Sequence, residues 1–424
     1  MSRVSTVRAW EILDSRGRPT LMAGCQLASG RTGTASIPSG ASSGKAEAHE
    51  LRDGDPQRYG GLGCRQAVAH VNGEIAQALS NQLFADQDAF DITLRMLDGT
   101  PNKARLGANA ILAVSLAYSR ACAAEAGLPL YAYYAREMGN DSLQIPRPTI
   151  NLFSGGLHAG GQVPIQDVLV VPAAAANMDE ALSMTYAVYY AAAGIAEERY
   201  RYRLLRADEG GLAPAFANAD EMLAVAVEAI KAAGYRPGED VMLAVDVAAS
   251  HFYRDGGYWL SDTPIDSKAM VDVVAGWVEK YPIVSVEDGL AEEDWDHWPA
   301  LKAKIVGNAL VLGDDLLCTN PDRIEKALAM DAADALLLKV NQIGTLSEAA
   351  DACRIAKQAG WKVTVSARSG ETEDDWLADL AIGWGGHQIK VGAITQSERL
   401  SKYNRLLIVE AQAGLPMESW PNVD

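Results

Sequence analysis

Six charged residues in the second half of the chain stand at the ends of short apolar segments: Asp246, Glu287, Asp314, Lys339, Arg368 and Lys390. The three carboxylates are oxygen ligands of the kind that a hard cation such as Mg²⁺ prefers. Crowding by cations lowers the pKa of a lysine towards the range of a general base, so one lysine would abstract a proton while the other holds an anion. The set predicts removal of a proton next to a carboxylate, with metal ions stabilising the resulting ene-diolate.

The apolar segments recur at the spacing of strand–helix units, with charged ends roughly 20 to 30 residues apart from Asp314 onward. Helix start signals lie between them, at Asn320-Pro321 and in the capping-box sequence 345–348. In a β/α barrel the carboxyl ends of the strands converge on one face, which would bring the charges together. The alternative is that the aspartates cap helices and the lysines are solvated strand ends, although charges seldom end buried strands without partners.

The first part of the chain follows a different pattern. Three alternating segments, 2–13, 20–27 and 31–37, are typical of strands, and segment 102–127 is typical of a helix. This order predicts an α+β domain over residues 1–135. The segment 144–150, which contains two prolines, is the predicted boundary, and a β/α barrel is predicted over residues 144–424.

Composition excludes several classes of partner. The formal net charge is −18, with 55 acidic and 37 basic residues, so a polyanion such as a nucleic acid would be repelled and an anionic substrate must be small and locally clamped. The five cysteines form no C-x-x-C pair, which favours a reducing cytoplasm over disulfides or a zinc cluster. No segment approaches the roughly 20 apolar residues of a membrane span. The sequence predicts a soluble cytoplasmic protein without a membrane partner.

Two further motifs carry candidates for a general acid. ADEGGLAP contains Glu209, and GLHAGGQVPIQD contains His158 and Asp167 in what is predicted to be a flexible flap. Elimination of a hydroxyl group needs such an acid opposite the base. Each motif also has a simpler interpretation, because a D-E-G-G sequence is common in turns and a histidine in a loop is often an exposed bystander.

Two segments are candidates for substrate and metal binding. PSGASSGKAE, residues 38–47, is either a solvated Ser/Gly linker or a lid whose Ser42 hydroxyl binds a second metal ion. Arg368 with Ser369 suits a phosphoryl group, because the donors of a guanidinium match its oxygens in pairs.

These motifs give the chain a family resemblance. It resembles the enolases, the phosphopyruvate hydratases, over essentially its whole length, in EILDSRGRPT, PSGASSGKAEAHELRDGD, LDGTPNKARLGANAILAVSLA, DEGGLAP, VDVAAS, VSVEDGLAEEDW, GDDLLCTNP, LLLKVNQIGTLSEA, RSGETEDDW, QIKVGA and SERLSKYN. The resemblance implies a small N-terminal α+β domain, an enolase-type β/α barrel with an antiparallel start, two Mg²⁺ ions per active site and a homodimer or higher homo-oligomer.

The resemblance also implies roles for individual residues. Those implied for metal binding are Asp246, Glu287 and Asp314, with Ser42 for the second ion. Those implied for catalysis are Lys339 as base and Glu209 as acid, with Asp167 and His158 beside it. Those implied for substrate binding are Lys390 at the carboxylate, Arg368 and Ser369 at the phosphate, and Gln166 and position 367 in the same pocket.

Several positions depart from the family pattern. Enolases have histidine where this chain has Ala367 and glutamate where it has Asp167, and further differences stand at Ser154, Gly161, His251 and Val391. An alanine in place of an imidazole removes a ring beside the phosphate site and leaves space for water or a larger substrate group. The pattern resembles the enolase-like carboxyphosphonoenolpyruvate synthases of phosphonate pathways, which suggests a substrate such as 2-phosphonoformylglycerate.

Three other functions remain open at this point. An ordinary enolase would convert 2-phosphoglycerate to phosphoenolpyruvate. A catalytically silent paralogue would have only a binding role, although unpaired buried carboxylates would then repel one another. An acid-sugar dehydratase of the same superfamily would lack the lid and phosphate motifs seen here.

Overall fold

The N-terminal part of the chain is built on an antiparallel sheet. The computed structural model describes residues 1–41, 44–201 and 206–421. The sheet has the order β3-β2-β1-β4 and consists of β1 (Ser2–Leu13), β2 (Pro19–Leu27), β3 (Thr32–Ser36) and β4 (Leu83–Phe84). The three strands predicted from the alternating segments are confirmed to within one residue at each end.

The α-helices of this part of the chain are α1 (Arg65–His70), α2 (Ala76–Leu79), α3 (Gln87–Asp98), α4 (Ala108–Ala126) and α5 (Leu130–Met138), and α4 packs against β2 and β3. Helix α4 is apolar nearly all round, which suits its position in the core. It lies so close to β3 that a Cβ at Gly33 would come within 2.3 Å of the carbonyl oxygen of Ala117. The predicted helical segment 102–127 starts later than expected, because Gly107 has a φ of 95° and precedes the first helical residue.

No single helix in the described ranges is long and apolar enough to cross a membrane, and only α4 and α5 taken together, as a pair bent by 101°, have the necessary length and composition.

The second part of the chain forms a closed barrel. Its strands are β5 (Arg147–Ser154), β6 (Asp167–Val171), β7 (Met242–Asp246), β10 (Ile283–Glu287), β11 (Leu310–Gly313), β12 (Ala335–Leu338), β13 (Lys362–Ser366) and β14 (Gln388–Gly392), and the hairpin β8 (Tyr253–Arg254) and β9 (Gly257–Tyr258) lies outside it. Strand β6 is antiparallel to both β5 and β7, and the other pairs are parallel. The enolase-type barrel with its antiparallel start is therefore confirmed. The proline-containing segment 144–150 is less of a linker than predicted, because β5 begins within it at Arg147.

Helices follow the barrel strands: α6 (Met178–Tyr200), α7 (Ala219–Ala232), α8 (Ser267–Lys280), α9 (Trp298–Ile305), α10 (Pro321–Met330), α11 (Val340–Ile343), α12 (Leu346–Gln358), α13 (Trp376–Gly383) and α14 (Ser397–Ala413). The predicted starts of α10 and α12 are confirmed. Asn320 accepts hydrogen bonds from the backbone of α10, and Thr345 accepts one from Glu348.

The N-terminal sheet meets the barrel at the face where the strands end. Ser39 and Gly370 form an antiparallel bridge with N–O distances of 2.8 and 2.9 Å. The segment after β3 thereby lies against the segment after β13. This contact covers the mouth of the barrel, where the charged strand ends lie.

Candidate active site

The carboxylates predicted to bind metal lie at the carboxyl ends of adjacent barrel strands. Asp246 is the last residue of β7, Glu287 is the last residue of β10, and the two residues are partners in the parallel ladder. Asp314 directly follows β11, and Lys339 directly follows β12. The three carboxylates are buried. The structure thus brings these four charged groups to one mouth of the barrel.

Lys390 joins two of these carboxylates. Its Nζ donates to Asp246 Oδ2 at 2.8 Å and to Glu287 Oε2 at 2.7 Å. Burial alone would lower the pKa of Lys390, but the two carboxylates raise it well above its usual value. The prediction that the strand ends at Lys390 is wrong, since β14 continues to Gly392.

Lys339 forms an ion pair with Asp314 Oδ2, and Gln342 donates to Asp314 Oδ1 at 2.7 Å. Burial would lower the pKa of Lys339, yet the Asp314 carboxylate outweighs it and the pKa lies above its ordinary value. Arg368 and Lys390 lower the pKa of Lys339, as predicted for neighbouring cations, but the Asp314 carboxylate opposes them. The nearest charge is a carboxylate, so Lys339 can act as a base only when Asp314 has another partner.

The acidic groups fit a divalent cation. Glu287 Oε1 is buried and accepts no hydrogen bond within the described part of the chain. Burial and the neighbouring Asp246 raise the pKa of Glu287 well above its usual value, which indicates a carboxylate short of compensating charge. The three predicted metal ligands, Asp246, Glu287 and Asp314, do not form a preformed cluster, because Lys390 forms ion pairs with the first two. The acidic side chains at this mouth whose oxygens already lie within 4.8 Å of one another are Asp288, Asp314 and Asp315.

Asp288 and Asp315 were not among the predicted site residues. The Asp288 carboxylate accepts the backbone N–H groups of Asp314 at 3.0 Å and of Asp315 at 2.7 Å, so it fixes the loop after β11. Burial and the neighbouring Asp314 raise the pKa of Asp315 to about 7. The available signal was the doubled acid at two strand ends, Glu287-Asp288 and Asp314-Asp315.

The predicted phosphate ligand Arg368 is buried and engaged by a carboxylate. Its Nη1 donates to Glu47 Oε2 at 3.1 Å and to Asn341 Oδ1 at 2.9 Å, and its Nη2 donates to Glu47 Oε1 at 3.2 Å. A guanidinium binds phosphoryl groups with the same pair of donors. Glu47, from the predicted lid segment 38–47, therefore occupies the donors that a substrate anion would use.

The other predicted substrate ligands lie close by. Ser369 Oγ accepts a hydrogen bond from Arg16 Nη1 at 3.4 Å. Gln166 Nε2 donates to Asp246 Oδ2 at 3.1 Å. Ser42, the predicted ligand of a second metal ion, lies outside the described residues.

A chain of hydrogen bonds and an ion pair connects the residues predicted to supply a proton. Ser154 Oγ donates to Asp167 Oδ1 at 2.6 Å, and the other Asp167 oxygen lies 2.8 Å from His158 Nδ1. His158 Nε2 lies 3.6 Å from Glu209 Oε1, and Asn151 Nδ2 donates to Glu209 Oε2 at 3.0 Å. All five residues are buried. We call the set Ser154–Asp167–His158–Glu209 the relay.

The surroundings of the relay differ from the predicted flap. Asp167 is the first residue of β6, and His158 lies in the short 3₁₀ turn Gly156–His158. The flap prediction is therefore wrong for Asp167, because this residue is part of the barrel. The exposed-bystander interpretation of His158 is also wrong, because the imidazole is held between two carboxylates.

The proton of the relay resides on His158. Burial would lower the pKa of His158, but Asp167 and Glu209 raise it to about 9. Burial would raise the pKa of Glu209, but the charge of His158 brings it below its ordinary value. A general acid needs a pKa that is raised above its ordinary value, which is the opposite of what is found for Glu209. Glu209 thus rests as a carboxylate, and a proton delivered at this end comes from the His158–Glu209 pair.

One small cavity connects the two halves of the site. Its lining includes His158, Glu209, Asp246, Asp314, Lys339 and Lys390, together with His251, Ala367 and Arg368. Its volume is about 30 Å³, which is of the order of a single water molecule. Ala367 lines this cavity, is only 6% exposed and packs against the apolar core, so the cavity would have to widen beside it to admit a larger substrate group. A cavity of about 470 Å³ adjoins at Arg368 and Ala41, on the side of the lid segment.

Two family models together match nearly the whole chain. The model described as "Enolase, N-terminal domain" matches residues 4–134, and the one described as "Enolase, C-terminal TIM barrel domain" matches residues 142–418. Enolases are lyases that generally use Mg²⁺, and the acidic groups at the barrel mouth could bind such an ion. Because the matches cover both domains and agree with the observed barrel, the chain belongs to the enolase family.

Proposed function

We propose that the protein is a Mg²⁺-dependent dehydratase that removes the C2 proton and eliminates the C3 hydroxyl of a 2-O-phosphorylated or 2-O-phosphonylated glycerate. The product is an enolpyruvate ester. The observation that carries the proposal is the single cavity lined both by Lys339 and by the His158–Glu209 pair. A base and a proton donor that face one enclosed space are what an elimination reaction needs.

Each side chain of the site has its own role in the elimination. Neutral Lys339 takes the C2 proton, and the electrons of the C2–H bond first pass into the substrate carboxylate to give an ene-diolate. They then form the C2–C3 double bond as the C3–O bond breaks. The hydroxyl leaves as water after it receives a proton from the His158–Glu209 pair. Lys390 holds the substrate carboxylate, and Arg368 binds the group on phosphorus after Glu47 has left it.

Two Mg²⁺ ions per active site belong to the proposal. Asp246, Glu287 and Asp314 would hold one ion, and Ser42 would contribute to the second. When bound, the ions would supply positive charge that stabilises the ene-diolate anion. With Asp314 engaged as a metal ligand, Lys339 would lose the counter-charge of its ion pair, which would favour the neutral amine that a base requires.

The finer proposal concerns the substrate. We infer that it is 2-phosphonoformylglycerate or a close relative, and that the product is carboxyphosphonoenolpyruvate. Ala367 supports this choice, because a methyl group beside Arg368 leaves no imidazole to compete with an additional carboxylate on phosphorus. The cavity must widen for this substrate, which is consistent with the Glu47 contact being replaceable by an anion.

The substrate proposal predicts a preference that ³¹P NMR can measure with purified protein and Mg²⁺. We expect kcat/KM for 2-phosphonoformylglycerate to exceed that for 2-phosphoglycerate by at least about tenfold. Turnover of 2-phosphoglycerate at about 10 s⁻¹ or faster, without preference for the phosphonate, would show an ordinary enolase. Ala367→His is the matched variant, and it should shift the preference towards 2-phosphoglycerate because an imidazole beside Arg368 would hinder the widening that the larger substrate needs.

The metal proposal predicts a thermal shift. Mg²⁺ at about 100 times its Kd should stabilise the protein by about 2.7 kcal/mol, a rise in Tm of roughly 3 °C or more. Asp314→Asn should lose most of this rise, measured by calorimetry with and without EDTA. Asp220→Asn is the control, because Asp220 forms an exposed ion pair with Lys280 away from the barrel mouth. A wild-type protein without any Mg²⁺-dependent shift would instead favour the silent paralogue.

A further inference from the structure

His251 is a half-buried residue of the site whose imidazole has no hydrogen-bond partner among the described residues. Neither of its ring nitrogens is accessible to solvent, and neither has a hydrogen bond within the described ranges of the chain. Native proteins seldom bury polar atoms without satisfying them, because the lost hydration is not recovered. The exceptions are concentrated at sites that bind something else.

The position of His251 is fixed by the backbone around it. The residue lies in the 3₁₀ turn Ala249–Phe252 after β7, and its N–H donates to Ala248 O at 3.0 Å. Ala248 itself has a φ of 47°, a conformation that residues with a Cβ rarely adopt. Ser250 Oγ accepts from the backbone N–H of Glu292 at 2.8 Å, and Glu292 accepts from the backbone N–H of Lys45 in the lid segment at 3.0 Å. The turn is therefore tied to the barrel mouth and to the lid.

The protein groups that face His251 are already engaged. The charged groups that act on the pKa of His251 are Asp246, His158, Asp314 and Lys339. Asp246 is bound by Lys390 and Gln166. His158 is bound by Asp167, and Asp314 forms an ion pair with Lys339. His251 is also absent from the groups of metal-binding side chains that converge among the described residues. Its partner can therefore come from a ligand that enters the cavity.

We propose that His251 determines specificity by hydrogen bonding to an anionic substrate oxygen that 2-phosphoglycerate lacks, namely an oxygen of a carboxylate attached to phosphorus. The donors already assigned, Arg368, Ser369 and Lys390, match the phosphoryl and carboxylate oxygens of 2-phosphoglycerate. His251 adds a donor to the same cavity, and Ala367 offers none there. The inference rests on the proposed function for its choice of substrate.

The test is a binding measurement, which is separate from turnover. The two probes are phosphonoformate and methylphosphonate, which differ by the carboxylate on phosphorus, and both are titrated calorimetrically in Mg²⁺. We expect His251→Leu to weaken the binding of phosphonoformate about tenfold more than the binding of methylphosphonate, which is the value of one hydrogen bond to a charged group. The measured quantity is thus the ratio of the two dissociation constants. His251→Gln keeps an N–H donor and should stay within about threefold of wild type. His297→Gln removes a partly exposed imidazole outside the cavity and should leave the ratio unchanged.

Three results would overturn the inference. One is an unchanged ratio in a folded His251→Leu protein with normal Mg²⁺ binding. Another is an equal loss of affinity for both probes and for Mg²⁺ in the variant, which would make His251 a metal ligand. The third is no measurable binding of phosphonoformate to the wild type. If His251-dependent binding is found but water is not eliminated from the phosphonate ester, the proposed function fails and the assignment of His251 stands.

Discussion

Lys339→Met is expected to lower kcat for elimination by about 10³- to 10⁴-fold, the contribution typical of a well-placed general base. Methionine has nearly the length of lysine and can pack in the same position after β12, but it cannot accept a proton. The change also removes the partner of Asp314. Asp314 remains able to bind a cation, so Mg²⁺ should still raise Tm in the variant.

Exchange of the C2 proton with D₂O identifies the step that is lost. If Lys339 is the base, the variant should show neither elimination nor exchange, followed by ¹H NMR. Lys362→Met is the control, because Lys362 is the first residue of β13 and lies at the other end of the barrel. Retention of more than about a tenth of the wild-type kcat by Lys339→Met would exclude Lys339 as the base.

The barrel was predictable because its strands are buried on both faces. Such strands are short apolar runs, and a charge directly after each run is conspicuous. Asp246, Glu287, Asp314 and Lys339 were found in this way, and the structure brings them together. The rule does not apply to Asp167, which stands before its apolar run V-L-V-V because β6 is antiparallel to its neighbours.

The partners and the protonation states of the site residues could not be predicted in the same way. Glu47 and Arg368 are 321 residues apart in sequence, and no local pattern shows that their side chains meet. The pKa of Lys339 depends on whether its nearest neighbour is a cation or Asp314, which only the folded arrangement decides. The burial of His158 likewise comes from tertiary contacts of a glycine-rich segment. Sequence therefore identified the charged groups but not their partners.

His158→Gln is expected to lower kcat for elimination by about 10²- to 10³-fold while exchange at C2 persists. Glutamine can still donate to Asp167, but it cannot carry the proton that the relay delivers to the leaving hydroxyl. Glu209→Gln should have a similar effect, and the double variant should be little worse than either single one, because the two residues act as a unit. A fully additive double variant would show that they act independently.

The pH dependence distinguishes the relay from a merely structural role of His158. The pKa of His158 is raised to about 9, so the imidazole is protonated at neutral pH and kcat should fall as the pH rises through about 9. This basic limb should disappear in His158→Gln. His387→Gln is the matched control, because burial lowers the pKa of His387 to about 4 and this imidazole, which accepts from Val363 N at 3.1 Å, is already neutral. An unchanged basic limb in His158→Gln would place the transferred proton on another group.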